Sequence, residues 1–194
     1  MQAPAFKRWT VAECDLLREQ GFLPERYELI EGTIFDIMGK NALHTYITKC
    51  LLKYLLSLVA VDYVRVQEPI RITGELGQTN EPEPDLVVTK QSDQAYAKRH
   101  PEPSQVALLI EVSDSTIAFD LNTKALLYSR AGIPEYWVAD VAGERLIVHR
   151  TPTQSGYSEV TAWEVGQSVS PLASPANSLS VASLYAPLHT EESQ

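Results

Sequence analysis

The sequence predicts an α/β fold in which a central mixed β-sheet is flanked by helices. The segment Val106–Ser113, VALLIEVS, is apolar at nearly every position, which is typical of a strand buried on both faces. It is followed by a helical pattern over Leu121–Ala131 and by a second strand pattern over Glu135–Val141. A helix that connects two strands of one sheet usually makes them parallel, so these two strands are expected to run in parallel.

The composition fits one globular domain and restricts the partners it could bind. The chain has 194 residues, of which 44% are hydrophobic and 21% charged, with a net charge of −9. Such a charge argues against a protein that coats nucleic acid, but it leaves room for an enzyme with a local basic groove. The small basic clusters are Lys98–His100 and the pair Lys49 and Lys53. The sequence pattern predicts a single domain, 1–194, with parts at 9–38, 41–150 and 151–194.

The cysteines and the apolar segments indicate where the protein works. Cys14 and Cys50 form neither a disulfide framework nor a metal-ligand spacing, which favours a reducing, cytoplasmic setting. No secretory signal is visible in Met1–Thr10, and no apolar stretch approaches the length of a membrane span. We therefore expect no membrane partner.

The N-terminal part predicts a helix and a hairpin. Thr10 and Glu13 have the spacing of a capping box, in which each side chain bonds the other residue's amide. This predicts a helix over Val11–Glu19 that ends at Gly21. Residues Tyr27–Met38 alternate around a Glu-Gly pair, which predicts a β-hairpin.

The remaining elements complete the predicted sheet and its helices. Asn41 caps a long helix with an apolar stripe at helical spacing, and His44 lies on the rim of that stripe. Alternation predicts strands at Val61–Ile72, with Val64, Val66, Glu68 and Ile70 on one side, and at Asp85–Thr89. Further strands are predicted at Arg145–Arg150 and near Trp163, followed by a helical turn over Val181–Tyr185 capped by Ser180.

Two carboxylates stand out because strands should hold them side by side. Side chains alternate along a strand, so Glu111 shares a face with Leu109 and Ser113, and Asp85 shares one with Val87. If the two strands are neighbours, Asp85 and Glu111 meet, and burial makes both charges costly. A divalent cation would relieve this repulsion, and Mg²⁺ favours one or two protein carboxylates completed by water and phosphate.

A lysine is predicted to point toward this pair. Helical spacing places one stripe of the following helix against the sheet, formed by Leu121, Lys124, Ala125, Tyr128 and Gly132. Lys124 is the charged member, and there it could pair with the carboxylates or stabilise a developing anion.

Structural roles for these residues stay open at this point. Asp85 could be a turn residue after Pro84, and Glu111 could pair with Lys124 or Arg130. Lys124 could extend along the helix edge, and His44 could be a histidine at the rim of the core. Hydrolysis of a sugar or small ester by the carboxylate pair is a further option, but it would not require a lysine.

Three segments together resemble the Uma family of restriction-endonuclease-like proteins. They are YELIEG, PEPDLVV and LLIEVSDSTIAFDLNTKALLYSRAGIPEYWVAD, and the resemblance runs from Trp9 to Tyr185. The family belongs to the PD-(D/E)xK nuclease superfamily. The resemblance implies a restriction-endonuclease-like core with a central mixed sheet flanked by helices.

The family motif implies roles for particular residues. Asp85 matches the aspartate of PD, and Glu111 matches the acid of (D/E)xK. The lysine of that element should stand at position 113, where this sequence has Ser113, and the resemblance makes Lys124 its substitute from the next helix. Glu28 or Glu31 is implied as a further acid, and Glu28 is favoured because Glu31 lies in a predicted turn.

The supporting residues implied at the same site are Gln67, His44, Ser113 and Tyr128. The metal ligands implied are Asp85, Glu111 and Glu28, together with the Val112 carbonyl, and the cation is Mg²⁺ or Mn²⁺. With these ligands the resemblance implies an endonuclease that hydrolyses phosphodiester bonds of DNA.

An alternative is a catalytically inactive nuclease fold that binds nucleic acid or protein, which Ser113 and the acidic net charge favour. A homodimer is consistent with cutting two strands at two sites related by symmetry.

Overall fold

A six-stranded sheet forms the centre of the computed structural model, which describes residues 6–37 and 39–189. The strands lie in the order β3-β4-β5-β6-β7-β8. Their bounds are β3 Val64–Val66, β4 Leu86–Thr89, β5 Val106–Ser113, β6 Glu135–Asp140, β7 Arg145–Thr153 and β8 Gly156–Glu164. Only β5 and β6 pair in parallel, and the helical crossover between them explains this. The predicted mixed sheet and its parallel pair are confirmed.

The other elements surround this sheet. Two short two-stranded pairs are β1 Tyr27–Ile30 with β2 Thr33–Asp36, and β9 Ser168–Val169 with β10 Leu179–Ser180. The helices are α1 Val11–Glu19, α2 Ala42–Leu58, α3 Ile117–Phe119, α4 Ala125–Arg130 and α5 Ala182–His189. Among the described residues, no helix is long and apolar enough to cross a membrane.

Each face of the sheet carries its own apolar core. On one face, Ile47 and Leu51 of α2 and Leu184 of α5 are buried against strand residues such as Leu108 and Trp137. On the other face, buried residues of the crossover helix pack against alternate positions of the same strands. The helix residues are Ala125, Leu127 and Tyr128, and the strand residues are Val87, Leu109, Tyr136 and Val138. This alternation confirms that β5 is buried on both faces, as its apolar sequence predicted.

The predicted helix starts are also confirmed. Thr10 and Glu13 form the capping box of α1, and Gly21 follows the helix with a φ of +74°. Asn41 caps α2, where its side-chain oxygen accepts the His44 N–H at 2.8 Å. The hairpin β1–β2 is present, and the Met38 end of its predicted range lies outside the described residues.

The predicted long strand Val61–Ile72 is wrong. A 3₁₀ turn covers Val61–Tyr63, and only Val64–Val66 forms a strand. Gln67 has a φ of +53°, which ends the extended backbone, and the chain then leaves the sheet. The predicted common face fails with it, since Ile70 is buried whereas Val66 is 38% exposed.

Other boundaries differ in length. The crossover helix begins at Ile117 rather than Leu121, and a π-helical turn over Asp120–Lys124 joins α3 to α4. Strand β7 extends to Thr153 because β8 pairs along it, and the last helix runs to His189. These extensions are set by tertiary pairing, which a local pattern does not report.

Candidate active site

One cavity of about 600 Å³ lies at the edge of the sheet where β4 begins and β5 ends. Asp85, Glu111, Glu28 and Lys124 all line it. They come from the start of β4, from β5, from β1 and from the π-helical turn, respectively. The structure therefore brings together the acids and the lysine that the sequence singled out.

Asp85 and Glu111 are adjacent because of the strand register. Leu86 pairs with Ile110 across β4 and β5, so Asp85 falls opposite Glu111. The Asp85 N–H donates to Glu111 Oε2 at 3.2 Å, and the Val112 N–H donates to Asp85 Oδ2 at 2.9 Å. Both residues are buried, so backbone donors hold two carboxylates side by side away from bulk water.

Lys124 lies at the centre of the acids. Its ammonium donates to Glu28 Oε1 and to Glu111 Oε1, both at 2.9 Å, and lies 3.8 Å from Asp120 Oδ1. Tyr128, one turn along the helix, donates its hydroxyl to the same Glu111 oxygen at 3.1 Å. Lys124 thus points into the core, and the alternative in which it extends along the helix edge is wrong.

Two further basic residues contact Asp85, one just before the N-cap of α2 and one in its first turn. Lys40 donates to Asp85 Oδ1, and His44 Nε2 lies 3.3 Å from Asp85 Oδ2. The other ring nitrogen of His44 is 3.4 Å from Thr48 Oγ1, which orients the ring. His44 is therefore oriented toward Asp85 as well as being buried at the rim of the core.

The electrostatics follow from a surplus of acid. Glu28, Asp85, Glu111 and Asp120 are four carboxyl groups facing the ammonium groups of two lysines. Burial alone would raise the pKa of Asp85, but its hydrogen bond with His44 and the charge of Lys40 lower it to about 2. Asp85 is therefore ionised at neutral pH.

Glu111 and Lys124 form a coupled pair. Burial raises the pKa of Glu111, Lys124 lowers it, and the neighbouring carboxylates raise it again, so that it reaches about 8. Burial acts to lower the pKa of Lys124, but Glu111, Glu28 and Asp120 outweigh burial and raise it. The first shift favours a neutral Glu111, whereas the second is strongest when Glu111 is ionised. We assign the charge to Lys124, because three carboxyl groups face its one ammonium.

The other predicted residues are divided between site and surroundings. Ser113 is buried, with its hydroxyl 3.2 Å from Thr116 Oγ1, so the position expected for lysine holds a small polar group. Gln67 meets the site through its backbone N–H, which donates to the Asp85 carbonyl at 3.1 Å, and through its side chain, which accepts from Arg26 of the cavity at 3.4 Å. Glu31 is exposed in the hairpin turn with a φ of +49° and does not line the cavity.

Several site residues were missed by the sequence analysis. Asp120 shares a helix face with Lys124 four residues later, and this spacing could have revealed it. Lys40, Phe35 and Phe119 carry no such local signal, since they reach the cavity only through the packing of α2, the hairpin and the crossover helix against the sheet. The basic clusters Lys98–His100 and Lys49/Lys53 do not line the cavity and are exposed.

The fit of a divalent cation can be judged from the oxygen donors. Within residues 6–37 and 39–189, no group of three or more His, Cys, Asp or Glu side chains is arranged to hold a metal ion. Lys124 lies between Glu28 and Glu111, and Lys40 contacts Asp85. Two adjacent carboxylates nevertheless suit Mg²⁺, which fills its other positions with water and phosphate. Asp85 and Glu111 therefore fit such an ion as a pair.

Comparisons with known proteins identify a family and a fold for this chain. The family Uma2, described as "Putative restriction endonuclease", matches residues 18–182. A crystal structure of a "putative nuclease belonging to DUF820" from Anabaena variabilis superposes with a TM-score of 0.66 at 19% identity, covering 88% of this chain and 97% of that one. No curated protein matches the sequence. The structural likeness shows the fold, and the family match extends over most of the chain.

Proposed function

This chain belongs to the Uma2 family, and we propose that it is an endonuclease that hydrolyses phosphodiester bonds of DNA with Mg²⁺ or Mn²⁺. One observation carries the proposal. Four carboxyl groups converge on one cavity around two lysine ammonium groups, which leaves excess negative charge that a divalent cation would neutralise and so prepare for a phosphodiester. A structural ion pair would need only one acid for each base.

Asp85 and Glu111 would hold the cation between neighbouring strand ends. Asp85 is suited to this because its low pKa keeps it ionised, and the Val112 N–H fixes its carboxylate. When bound, the ion would supply an activated water and charge stabilisation at the phosphoryl group. Glu28 as a third ligand stays a prediction, since its carboxylate accepts from Lys124 and from the Glu83 N–H at 2.9 Å.

Lys124 would act as a charged donor and not as a base. Its raised pKa keeps the ammonium protonated at neutral pH, so it can neutralise charge that develops on the phosphate oxygens. Glu28, Glu111 and Asp120 fix its position from three elements. Tyr128 and His44 would position Glu111 and Asp85, which they contact directly.

Calorimetric titration of Mn²⁺ and incubation with plasmid DNA test this proposal. The proteins compared are the wild type, Asp85→Asn, Glu111→Gln and a control, Asp62→Asn, whose exposed side chain lies outside the cavity. We expect binding and metal-dependent nicking in the wild type and the control, and loss of both in the two site variants.

Other outcomes would identify which part is wrong. Binding without nicking would show a metal site that does not cut duplex DNA. Absence of Mn²⁺ binding in the wild type would overturn the metal-dependent mechanism and favour the inactive binding module instead.

A further inference from the structure

Two aromatic rings form part of the wall of the same cavity. Phe35 and Phe119 both line it, with ring centroids 4.9 Å apart and planes inclined by 47°. Phe35 is 36% exposed, so part of its ring is open to a ligand. Phenylalanine at an enzyme cavity, unlike aliphatic residues, offers a flat face on which a nucleobase can stack.

The aromatic pair is attached to the same elements as the polar site. Phe35 is the cross-strand partner of Glu28 in the hairpin, and paired residues in antiparallel strands project from the same face. Phe119 immediately precedes the π-helical turn that carries Lys124. A base that stacks on these rings would therefore have its phosphate near the acids and the lysine.

The charges around the cavity argue against a duplex held by its backbone. The lining includes three basic residues besides His44, namely Arg26, Lys40 and Lys124. Each pairs with an acid of the cavity: Arg26 with Glu83, Lys40 with Asp85, and Lys124 as described above. These basic groups are already engaged, so phosphate contacts cannot supply most of the affinity at this cavity. A duplex has little else to offer such a site, whereas an unpaired strand can also stack its bases.

The cavity size points the same way. A volume of about 600 Å³ lies in the range of pockets that enclose small ligands, so a base pair within a duplex could not enter it. An unpaired base can be turned outward into such a pocket and held by stacking.

We propose that Phe35 and Phe119 form a base-stacking subsite, and that the substrate is presented to Asp85, Glu111 and Lys124 as single-stranded or locally unpaired nucleic acid. This inference rests on the proposed function, because it assigns the substrate form to the same site. Stacking supplies the affinity, and the metal-binding acids select the phosphate next to the stacked base.

The experiment measures binding of three fluorescein-labelled probes by fluorescence anisotropy, with Ca²⁺ as the cation. The probes are a single-stranded oligothymidylate, the same strand with abasic residues, and a blunt duplex. Wild type is compared with Phe35→Ala, Phe119→Ala and the control Phe22→Ala, since Phe22 is 72% exposed and lies outside the cavity.

We expect the wild type to bind the single strand more tightly than the abasic strand or the duplex. Each cavity variant should lose about 5- to 150-fold in affinity for the single strand, the effect of one lost stacking contact. Binding of the abasic strand should not change, and Phe22→Ala should behave as wild type. Phe119→Trp should keep the affinity of the wild type and Phe119→Leu should not, which separates stacking from packing. Thermal unfolding confirms that each variant folds.

Equal binding of the base-containing and abasic strands, or no loss in the alanine variants, would overturn the stacking subsite. Cleavage of the single-stranded oligothymidylate by the wild type with Mn²⁺ tests the proposed function separately. Cleavage that the Phe substitutions leave unchanged would reject this inference alone. Base-dependent binding without metal-dependent cleavage of that strand would reject the nuclease function alone.

Discussion

Two buried acids at opposite ends of the sheet differ in what surrounds them. Glu135, fully buried at the start of β6, accepts from Arg150 Nε and Nη2 at 2.8 and 2.6 Å, from Trp137 Nε1 at 2.9 Å and from the Leu172 N–H at 2.8 Å. There, one carboxylate faces one guanidinium. Glu111 is equally buried and also hydrogen-bonded, but it belongs to a cluster with more acids than bases beside an open cavity.

The difference teaches how a structural acid can be told from a candidate functional one. Burial and satisfied hydrogen bonds describe both residues, so neither property indicates chemistry. What separates them is the local charge balance and the access of a ligand. Substitutions at the two ends should therefore affect different properties of the protein.

The largest effect is expected at Glu135, whose carboxylate faces one guanidinium. Arg150→Met should lower the free energy of unfolding by about 3–5 kcal/mol, because it leaves Glu135 buried without its partner. Thermal unfolding followed by circular dichroism measures the loss, and nicking at low temperature should persist. The double variant Arg150→Met with Glu135→Leu should recover much of the stability. A stability loss below about 1 kcal/mol for Arg150→Met alone would break the comparison.

The next largest effect is expected at Asp85, which lines the cavity. Asp85→Asn should reduce metal-dependent nicking by about 100-fold or more, since it removes the ionised carboxylate that we propose as a cation ligand. Its thermal midpoint should fall modestly, because the lowered pKa of Asp85 means that the folded protein stabilises its ionised form through His44 and Lys40. A large fall in thermal midpoint with activity retained would mean that Asp85 is structural, like Glu135.

A smaller effect sharpens the charge argument at Asp85. Lys40→Met should raise the affinity for Mn²⁺ about fivefold, near 1 kcal/mol, because the Lys40 ammonium occupies a carboxylate oxygen that a cation would use. Lys49→Met is the matched control, since Lys49 is exposed on α2, the helix that follows Lys40, and lies outside the cavity. Weaker Mn²⁺ binding in Lys40→Met would show that Lys40 supports the cation site and does not compete with it.

The smallest effect concerns His149, a buried histidine of β7. Burial lowers the pKa of His149, against a hydrogen bond with the Tyr136 backbone that raises it, so the folded protein holds this ring neutral. The unfolded chain binds a proton more readily, and stability present above about pH 6.5 is lost as the pH falls below that value. His149→Phe should show a weaker decline in urea-unfolding free energy between pH 7.5 and 5.5. An identical decline in both proteins would assign the acid sensitivity to other groups.

The sequence predicted the parts of the fold and site that depend on local pattern. The apolar run of β5 identified a strand buried on both faces, and strand alternation placed Asp85 beside Glu111. Helical spacing predicted that Lys124 faces these two acids, and its ammonium does donate to Glu111. Each of these inferences needed only a few consecutive residues and one neighbouring strand.

The rest depended on contacts between distant segments. Lys40 reaches Asp85 across 45 residues of chain, and no periodicity reports such a contact. The long strand predicted at Val61–Ile72 failed at Gln67, whose left-handed backbone interrupts an apparently regular alternation. The start of the crossover helix was misplaced because a π-helical turn within it alters the local spacing.

The two-residue turn of the hairpin sets the positions of both an acid and an aromatic ring of the cavity. Glu31 and Gly32 both have positive φ angles, 49° and 75°, as a tight turn of this type requires, and they fix the register that places Glu28 opposite Phe35. Inserting or deleting one residue there would shift one strand against the other and separate the acid from the aromatic ring, since a one-residue slip moves every side chain of the shifted strand to the other face. Insertions and deletions in this turn should therefore not be tolerated during evolution. The ligand preference of the cavity would instead change by substitution of side chains on a hairpin of constant length.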